Sequence, residues 1–347
     1  CISSDATSQT IMSLTAFKRA LMNGLNGHRF SLMVLFSCLS SMVEIAYSLS
    51  DVTNYLIASE DEIHLVNEPQ GTHQLRGISF EDLLAQLMNN PLQLEIELGY
   101  SVINRYIEPY TKDVSSIDAS GRKVFYRYPA SLALLDCRSM GRLITALDEL
   151  AELIIKDLNR PDTVLPTLNS LQQTLNNTQT FKSFLNLQYY DLVNWLNEMT
   201  IASTSAGIRL KCRLCIKLLR DDVIKFERHT SDVASNGVSI FFNHHLVPEN
   251  IFNAHQEKYL QTRFSKDTRW DDLINTYRNR MQIYDSDLLL YQCQMAYRQR
   301  EKQIFARTLK KILRVISHQI QEGRVQKNQK FYTFLQTLSV DDLPISV

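Results

Sequence analysis

Between residues 13 and 24, Leu14, Phe17, Ala20 and Leu21 recur on one face at helical spacing, and Gly24 with Asn26-Gly27 supplies a stop. That spacing predicts an amphipathic helix ending there. The pattern then changes to Ser31-Leu-Met-Val-Leu-Phe36, an unbroken apolar run of the kind a strand shows when a parallel sheet buries both its faces. From Leu39 onward a helical stripe returns, with Met42, Ile45, Ala46 and Leu49 apolar and Ser41, Glu44 and Ser48 between them. Asn54-Tyr-Leu-Ile-Ala58 reads as the next strand. Residues 31–58 are therefore expected to form a βαβ unit with a right-handed crossover.

Further along, residues 79–88 and 93–106 read as helices parted by Asn89-Asn90-Pro91, and 111–128 as a loop around Asp118-Ala-Ser-Gly121. Pro129 leads into a short apolar stretch and a long helix over 139–158, which Asn159-Arg-Pro161 breaks. A helix over 190–199, a flexible 202–206, a long helix over 207–229 with a basic outer face, and a buried strand over 237–242 follow. After Tyr277 only helical patterns remain, the clearest over 303–321. The fold class is therefore α/β, with a mostly parallel sheet flanked by helices and a helical C-terminal extension.

At 347 residues, 44% apolar and 21% charged, the chain is long enough for a large core and too apolar for disorder. Lys+Arg and Asp+Glu balance at 37 each, so no global field draws the protein to nucleic acid or an acidic membrane surface. No run of about 18 apolar residues suggests a membrane span. Six cysteines, sparse and irregularly spaced, point to reduced thiols rather than a disulfide framework.

Of these thiols, Cys38 falls where an expected strand ends and an expected helix begins. Functional crevices of open α/β sheets lie beyond the carboxyl ends of strands, and a helix N-terminus favours a thiolate. From pattern alone, an inert thiol filling a strand end is an equal reading.

The segments SLTAFKRALMNGL and FSLMVLFSCLSSMVEIAYSLSDVTNYLIASEDEI, then FLNLQYYDLVNWLNEM, GVSIFFN and RFSKDTRWDDLINTY, lie in order over residues 13–277. Together they resemble the clostripain-like cysteine peptidases, relatives of caspases and gingipains. The resemblance implies a caspase-like fold: residues 1–158 as the part of the catalytic core that carries the nucleophile, 159–277 as the remainder of the domain, and 278–347 as an extension. It implies a Cys-His dyad peptidase acting on protein or peptide substrates through an acyl-enzyme on Cys38, with the Cys38 N–H as one oxyanion donor. The clan's histidine precedes the cysteine by about 50 residues, and His28 is only ten residues upstream. The implied histidine therefore sits on a separate light chain released by processing, or outside the sequence given. A regulatory protein partner and a calcium ion also follow from the resemblance, while no other cofactor does. The family carries an acid two positions before its nucleophile, where it helps bind a basic substrate side chain; Phe36 stands there in this chain. The substrate pocket is then expected from Phe36, Ser37 and the loop Ser59, Glu60 and Asp61, with either the loop acids or a different side-chain preference replacing the missing carboxylate. A catalytically inactive interaction protein on the same fold is the competing expectation.

Other constellations carry less. Cys212-Arg-Leu-Cys215 with His229 has a finger-like start, but His244 follows 15 residues later rather than 4 to 6, so core packing is expected and no metal. His244-His245 reads as loop surface. The helix after Gln303 pairs an apolar stripe (Phe305, Leu309, Ile312, Leu313, Ile316, Ile320) with Arg307, Lys310, Lys311 and Arg314. That basic face is read as solvated rather than as a nucleic-acid surface.

Overall fold

A computed structural model describes residues 3–5, 10–63, 80–111, 114–117, 122–126, 129–182, 187–243, 247–299, 301–321 and 333–334. Cys1, the 118–121 turn, Arg300 and the pair His244-His245 lie outside the described residues.

The apolar runs read from the sequence become strands with both faces covered. In chain order the first half contains a hairpin of β1 (Ser3–Asp5) and β2 (Thr10–Met12), α1 (Leu14–Leu25), β3 (Phe30–Val34), α2 (Val43–Leu49), β4 (Thr53–Ala58), α3 (Phe80–Asn89) and α4 (Glu95–Ile107). A second hairpin, β5 (Val114–Ile117) and β6 (Lys123–Tyr126), precedes β7 (Ser131–Asp136) and α5 (Met140–Leu158). The second half contributes α6 (Val164–Asn177), β8 (Thr180–Lys182), β9 (Gln188–Asp191), α7 (Leu192–Ala202), α8 (Ala206–Leu218), β10 (Ile224–His229) and β11 (Ser239–Phe241). Then come α9 (Glu249–Tyr259), α10 (Arg263–Asp267), α11 (Trp270–Arg298) and α12 (Lys302–Gln321).

The central sheet has the order β10-β7-β4-β3. β3 and β4 pair in parallel, while β7 is antiparallel to both β4 and β10, so three of the four strands share a direction and β7 reverses. Alternate residues feed two cores, as a period of two requires: Leu56, Ala58, Ala133 and Leu135 enter the large core with α2, α5, α7 and α8. Tyr55, Ile57, Leu132 and Leu134 enter a smaller one under α4. α4 approaches β7 so closely that a Cβ on Gly99 would lie 2.8 Å from Leu134 Cδ2. A second, antiparallel sheet, β11-β9-β8, is stitched to the first by the parallel bridge between Met42 and Ser239.

Three expectations change. The stretch expected to be one helix over 207–229 is α8, a π-helical turn Leu219–Val223 and then β10; Ile224-Lys-Phe-Glu-Arg-His229 alternates with period two and pairs with β7. The loop over 111–128 contains the hairpin β5–β6, and Tyr190 belongs to β9 rather than to the helix that follows. α11 runs unbroken across residues 277 and 278, with Met281 and Leu288 still in the main core. α12 buries Phe305, Leu309 and Ile312 against Cys293 and Ala296, leaving Arg307, Lys310, Lys311 and Arg314 exposed, as its stripe requires. Among the described residues no helix is long and apolar enough to cross a membrane.

Because Gly99 sits against a fully buried leucine, Gly99→Val should destabilise the protein by about 1–3 kcal/mol through overpacking, read as a lower urea midpoint at unchanged slope. An unchanged midpoint would show that α4 can move away from β7 without cost.

Candidate active site

Cys38 is placed by the end of β3. Leu35 N–H still pairs with Ile57 O at 2.9 Å, but the next residue leaves the strand and the Phe36 ring packs 6.3 Å from that of Tyr106. Ser37, Cys38 and Leu39 then turn, and Leu39 takes φ = +54°, a left-handed conformation that costs a leucine on the order of 1–3 kcal/mol. The turn is held against the segment after β4: Leu39 N–H donates to Asp61 O at 3.1 Å, and Ser40 and Ser41 N–H both donate to Ser59 O at 2.8 Å. The Cys38 sulfur is exposed and accepts the N–H of Ile63 at 3.2 Å. Among the described residues, no hydrogen bond engages the N–H of Cys38 itself.

The helix expected from Leu39 begins only at Val43, behind an extended Met42. Residues 39–41 prolong the pairing with β4, and Met42 bridges to Ser239, so the chain becomes helical only after those partners are satisfied. Cys38 therefore lies ahead of α2 rather than at its first turn, and the helix dipole is not what bears on the sulfur.

The other described thiols are buried. Burial pushes Cys137, Cys215 and Cys293 up to about 12 and Cys212 higher still. Cys212 and Cys215 belong to the main core. Among the described residues no group of three or more His, Cys, Asp or Glu could hold a metal.

The expected pocket residues separate. Phe36 and Ser37 stay half-buried beside the nucleophile, the Ser37 carbonyl accepting Ser40 Oγ–H at 2.6 Å. Ser59 and Glu60 turn inward and keep no more than 1% of their surface. Ser59 Oγ lies 3.2 Å from Ser131 Oγ, and Glu60 receives the Ser235 hydroxyl and the Gly237 N–H. Both side chains, expected to line the pocket, are enclosed by the scaffold in the described structure. Asp61 keeps part of its surface to solvent, accepting Glu62 N–H at 2.8 Å.

Two histidines are excluded as partners by position. His28 precedes β3, and at about 3.3 Å per residue it lies at the opposite end of the strand from Cys38. His229 ends β10, three strand spacings from β3, or roughly 14 Å, with its ring against Thr230 O at 2.9 Å and Glu227 at 3.9 Å.

Sequence reasoning missed Glu44. This α2 carboxylate is fully buried; Oε1 accepts Phe241 N–H at 3.0 Å and Tyr259 O–H at 3.2 Å, and Oε2 has no partner. Its neighbourhood joins β11 to the nucleophile segment, since Ser239 N–H also donates to Ser41 O at 2.8 Å and Trp270 Nε1–H donates to Phe241 O at 2.8 Å. The available signal was a lone acid at a core-facing helical position between Val43 and Tyr47.

A family model described as the clostripain family, peptidase C11, matches residues 1–277. Among solved structures, a clostripain from Bacteroides thetaiotaomicron in complex with a peptide inhibitor aligns at 13% identity, covering 77% of this chain and 98% of that one with a TM-score of 0.48. A Bacteroides fragilis cysteine protease aligns at 15% identity over 78% and 97% of the two chains, TM-score 0.48. An inactive zymogen C11 protease from Parabacteroides distasonis aligns at 13% over 74% and 64%, TM-score 0.46. No curated protein matches. At these identities and TM-scores, membership rests on the family match alone.

Burial raises Glu44 from 4.5 to about 7, so the folded state holds its proton more tightly than the unfolded one. Below pH 4.5 both states carry the proton; between 4.5 and about 7 stability falls as pH rises, and above 7 the loss is complete. Glu44→Gln should therefore gain on the wild type by about 3 kcal/mol between pH 4.5 and 7.5, measured as diverging urea midpoints. Parallel pH curves would show that Glu44 ionises in the folded state as easily as in water.

Proposed function

Because the chain belongs to the clostripain family over residues 1–277, we propose that it is a cysteine endopeptidase acting on protein or peptide substrates, with Cys38 as nucleophile. The observation that carries this reading is the contrast among thiols. Cys38 is the exposed one among the described cysteines, on a pinned turn beyond the carboxyl end of a central strand, while Cys137, Cys212, Cys215 and Cys293 are buried. The Cys38 sulfur attacks the scissile carbonyl carbon as a histidine takes the thiol proton, and the carbonyl π pair moves onto oxygen. The Cys38 N–H, which no described residue engages, is available to stabilise that oxyanion. Collapse of the tetrahedral intermediate breaks the C–N bond, and the histidinium gives its proton to the departing amine. Water, deprotonated by the same histidine, then hydrolyses the thioester and returns the thiol. By resemblance to the family, the base is assigned to a histidine on a light chain separated by processing; His28 and His229 both stand away from Cys38.

With Phe36 packed on Tyr106 where the family carries an acid, and Glu60 withdrawn into the scaffold, the residue preceding the cleaved bond is expected to be recognised as apolar rather than cationic.

An acyloxymethyl ketone should label the histidine-containing protein at Cys38, and Cys38→Ala should abolish both labelling and peptide cleavage. Probes with a leucine next to the warhead should label faster than those with lysine. The reverse order would return recognition to Asp61 or Glu62. Complete absence of labelling would move the protein to the class of non-catalytic interaction proteins on this fold.

A further inference from the structure

Three separate segments meet behind Cys38, and their connections form a closed ring. Segment 59–63 holds the nucleophile turn through Ser59 O, Asp61 O and Ile63 N–H. The turn in its far half holds segment 237–239, with Ser41 Oγ donating to Gly237 O at 2.6 Å and Ser41 O accepting Ser239 N–H and the Ser239 hydroxyl at 2.8 and 3.2 Å. Segment 235–237 closes back on 59–63 through the Glu60 carboxyl, whose Oε2 accepts Gly237 N–H at 2.7 Å and the Ser235 hydroxyl.

We infer that Glu60 is a positioning residue for the nucleophile: its carboxyl fixes the 235–237 turn, which through Ser41 sets where Cys38 stands. This rests on the peptidase reading and extends it to a residue that never meets substrate.

The ring is under constraint at two points, which gives the clamp something to resist. Gly237 adopts φ = +99°, and a Cβ there would lie 3.0 Å from that of Ala133 and 3.2 Å from that of Glu227, so the 235–237 bend is held close against the sheet. Leu39, next to Cys38, is also left-handed. A strained turn persists only where its surroundings over-determine it, and the Glu60 carboxyl is one of those surroundings. Asp191 supports the same bend from the other side, accepting Asn236 N–H at 2.6 Å. Burial, reinforced by Asp191 and Glu227, raises Glu60 above the ordinary carboxyl range, and its two donors replace part of the solvation that burial removes.

The test compares Glu60→Ala, Glu60→Gln and Ser41→Ala in the full histidine-containing protein, well below each variant's unfolding temperature. Two readouts are followed: the rate of Cys38 alkylation by iodoacetamide, quantified by mass spectrometry, and peptide cleavage resolved into kcat and KM. Glu60→Ala should lower kcat by on the order of 10- to 100-fold with KM little changed, and should alter the alkylation rate of folded protein. Glu60→Gln, which keeps an acceptor for both donors, should restore most of each. Ser41→Ala weakens the ring elsewhere, removing the link to Gly237 O while the Ser239 bonds to Ser41 O remain, so it should produce a smaller kinetic change of the same kind and add little when combined with Glu60→Ala. A folded Glu60→Ala protein with wild-type alkylation and kcat, altered only in stability, overturns the inference. If the Glu60 variants fail to unfold cooperatively, additive effects of Ser235→Ala and Ser41→Ala on alkylation overturn it as well. Alkylation needs no peptidase activity. If wild type alkylates at Cys38 and responds to Glu60 but never reacts with acyloxymethyl ketones, the peptidase reading fails while the positioning role stands.

Discussion

The carbonyl of Ser59 accepts the N–H groups of Ser40 and Ser41, and the rest of the site follows from that shared acceptor. A carbonyl has two lone pairs, and spending both on consecutive residues forces the chain between them into register with the end of β4. This carries the parallel pairing of β3 and β4 past the point where β3 has turned away. Cys38 thus sits in a turn between Leu35, still paired with Ile57, and residues 39–41, paired with the segment after β4. The left-handed Leu39 is the conformational cost of that arrangement, and the Ile63 N–H on the sulfur is its end point. Exposure and fixed position would otherwise oppose each other, because a loop free enough to present a thiol is usually too mobile to aim it.

Much of this was legible in the sequence where one rule governs a position. The runs around Met33 and Leu56 announced strands with two covered faces, and the structure divides their neighbours between two cores. Ser13 and Asn26 bounded α1 as expected: the Ser13 side chain accepts Ala16 N–H at 3.2 Å, and Asn26 caps the helix in a left-handed conformation. The location of Cys38 beyond a strand end was also readable. What failed did so where tertiary partners decide. Residues 39–42 have helical periodicity, yet the N–H groups of 39–41 are claimed by the segment after β4 and the Ser41 carbonyl by Ser239 of β11. Ile224 to His229 follows a helix without a glycine or proline to mark the change, and only the π-helical turn before it ends the helical run.

The acids around the site divide by depth rather than by sequence. Ser59-Glu60-Asp61-Glu62 reads as one polar loop, and a composition argument treats its members alike. In the fold, Ser59 and Glu60 turn inward while Asp61 and Glu62 stay at the surface. Glu44 follows the same logic on α2, its carboxylate taking the backbone N–H of Phe241. Both buried carboxylates thus complete edges that backbone pairing leaves open. A backbone donor, Phe241 of β11 for Glu44 and Gly237 of the preceding turn for Glu60, fixes each one more firmly than a charge partner in solvent could, since exposed ion pairs contribute little.

α11 spans 29 residues, a rod of about 44 Å at 1.5 Å per residue. Its first half is cast into the main core through Trp270, Leu273, Ile274 and Tyr277, and its last turns carry Cys293 and Ala296 into a separate cluster with α12. Such a rod acts as a mast: whatever is mounted on its distal end inherits a heading from the catalytic body without sharing residues with it. Sequence change around α12 can then proceed independently of the core, because the two are joined by direction and not by packing.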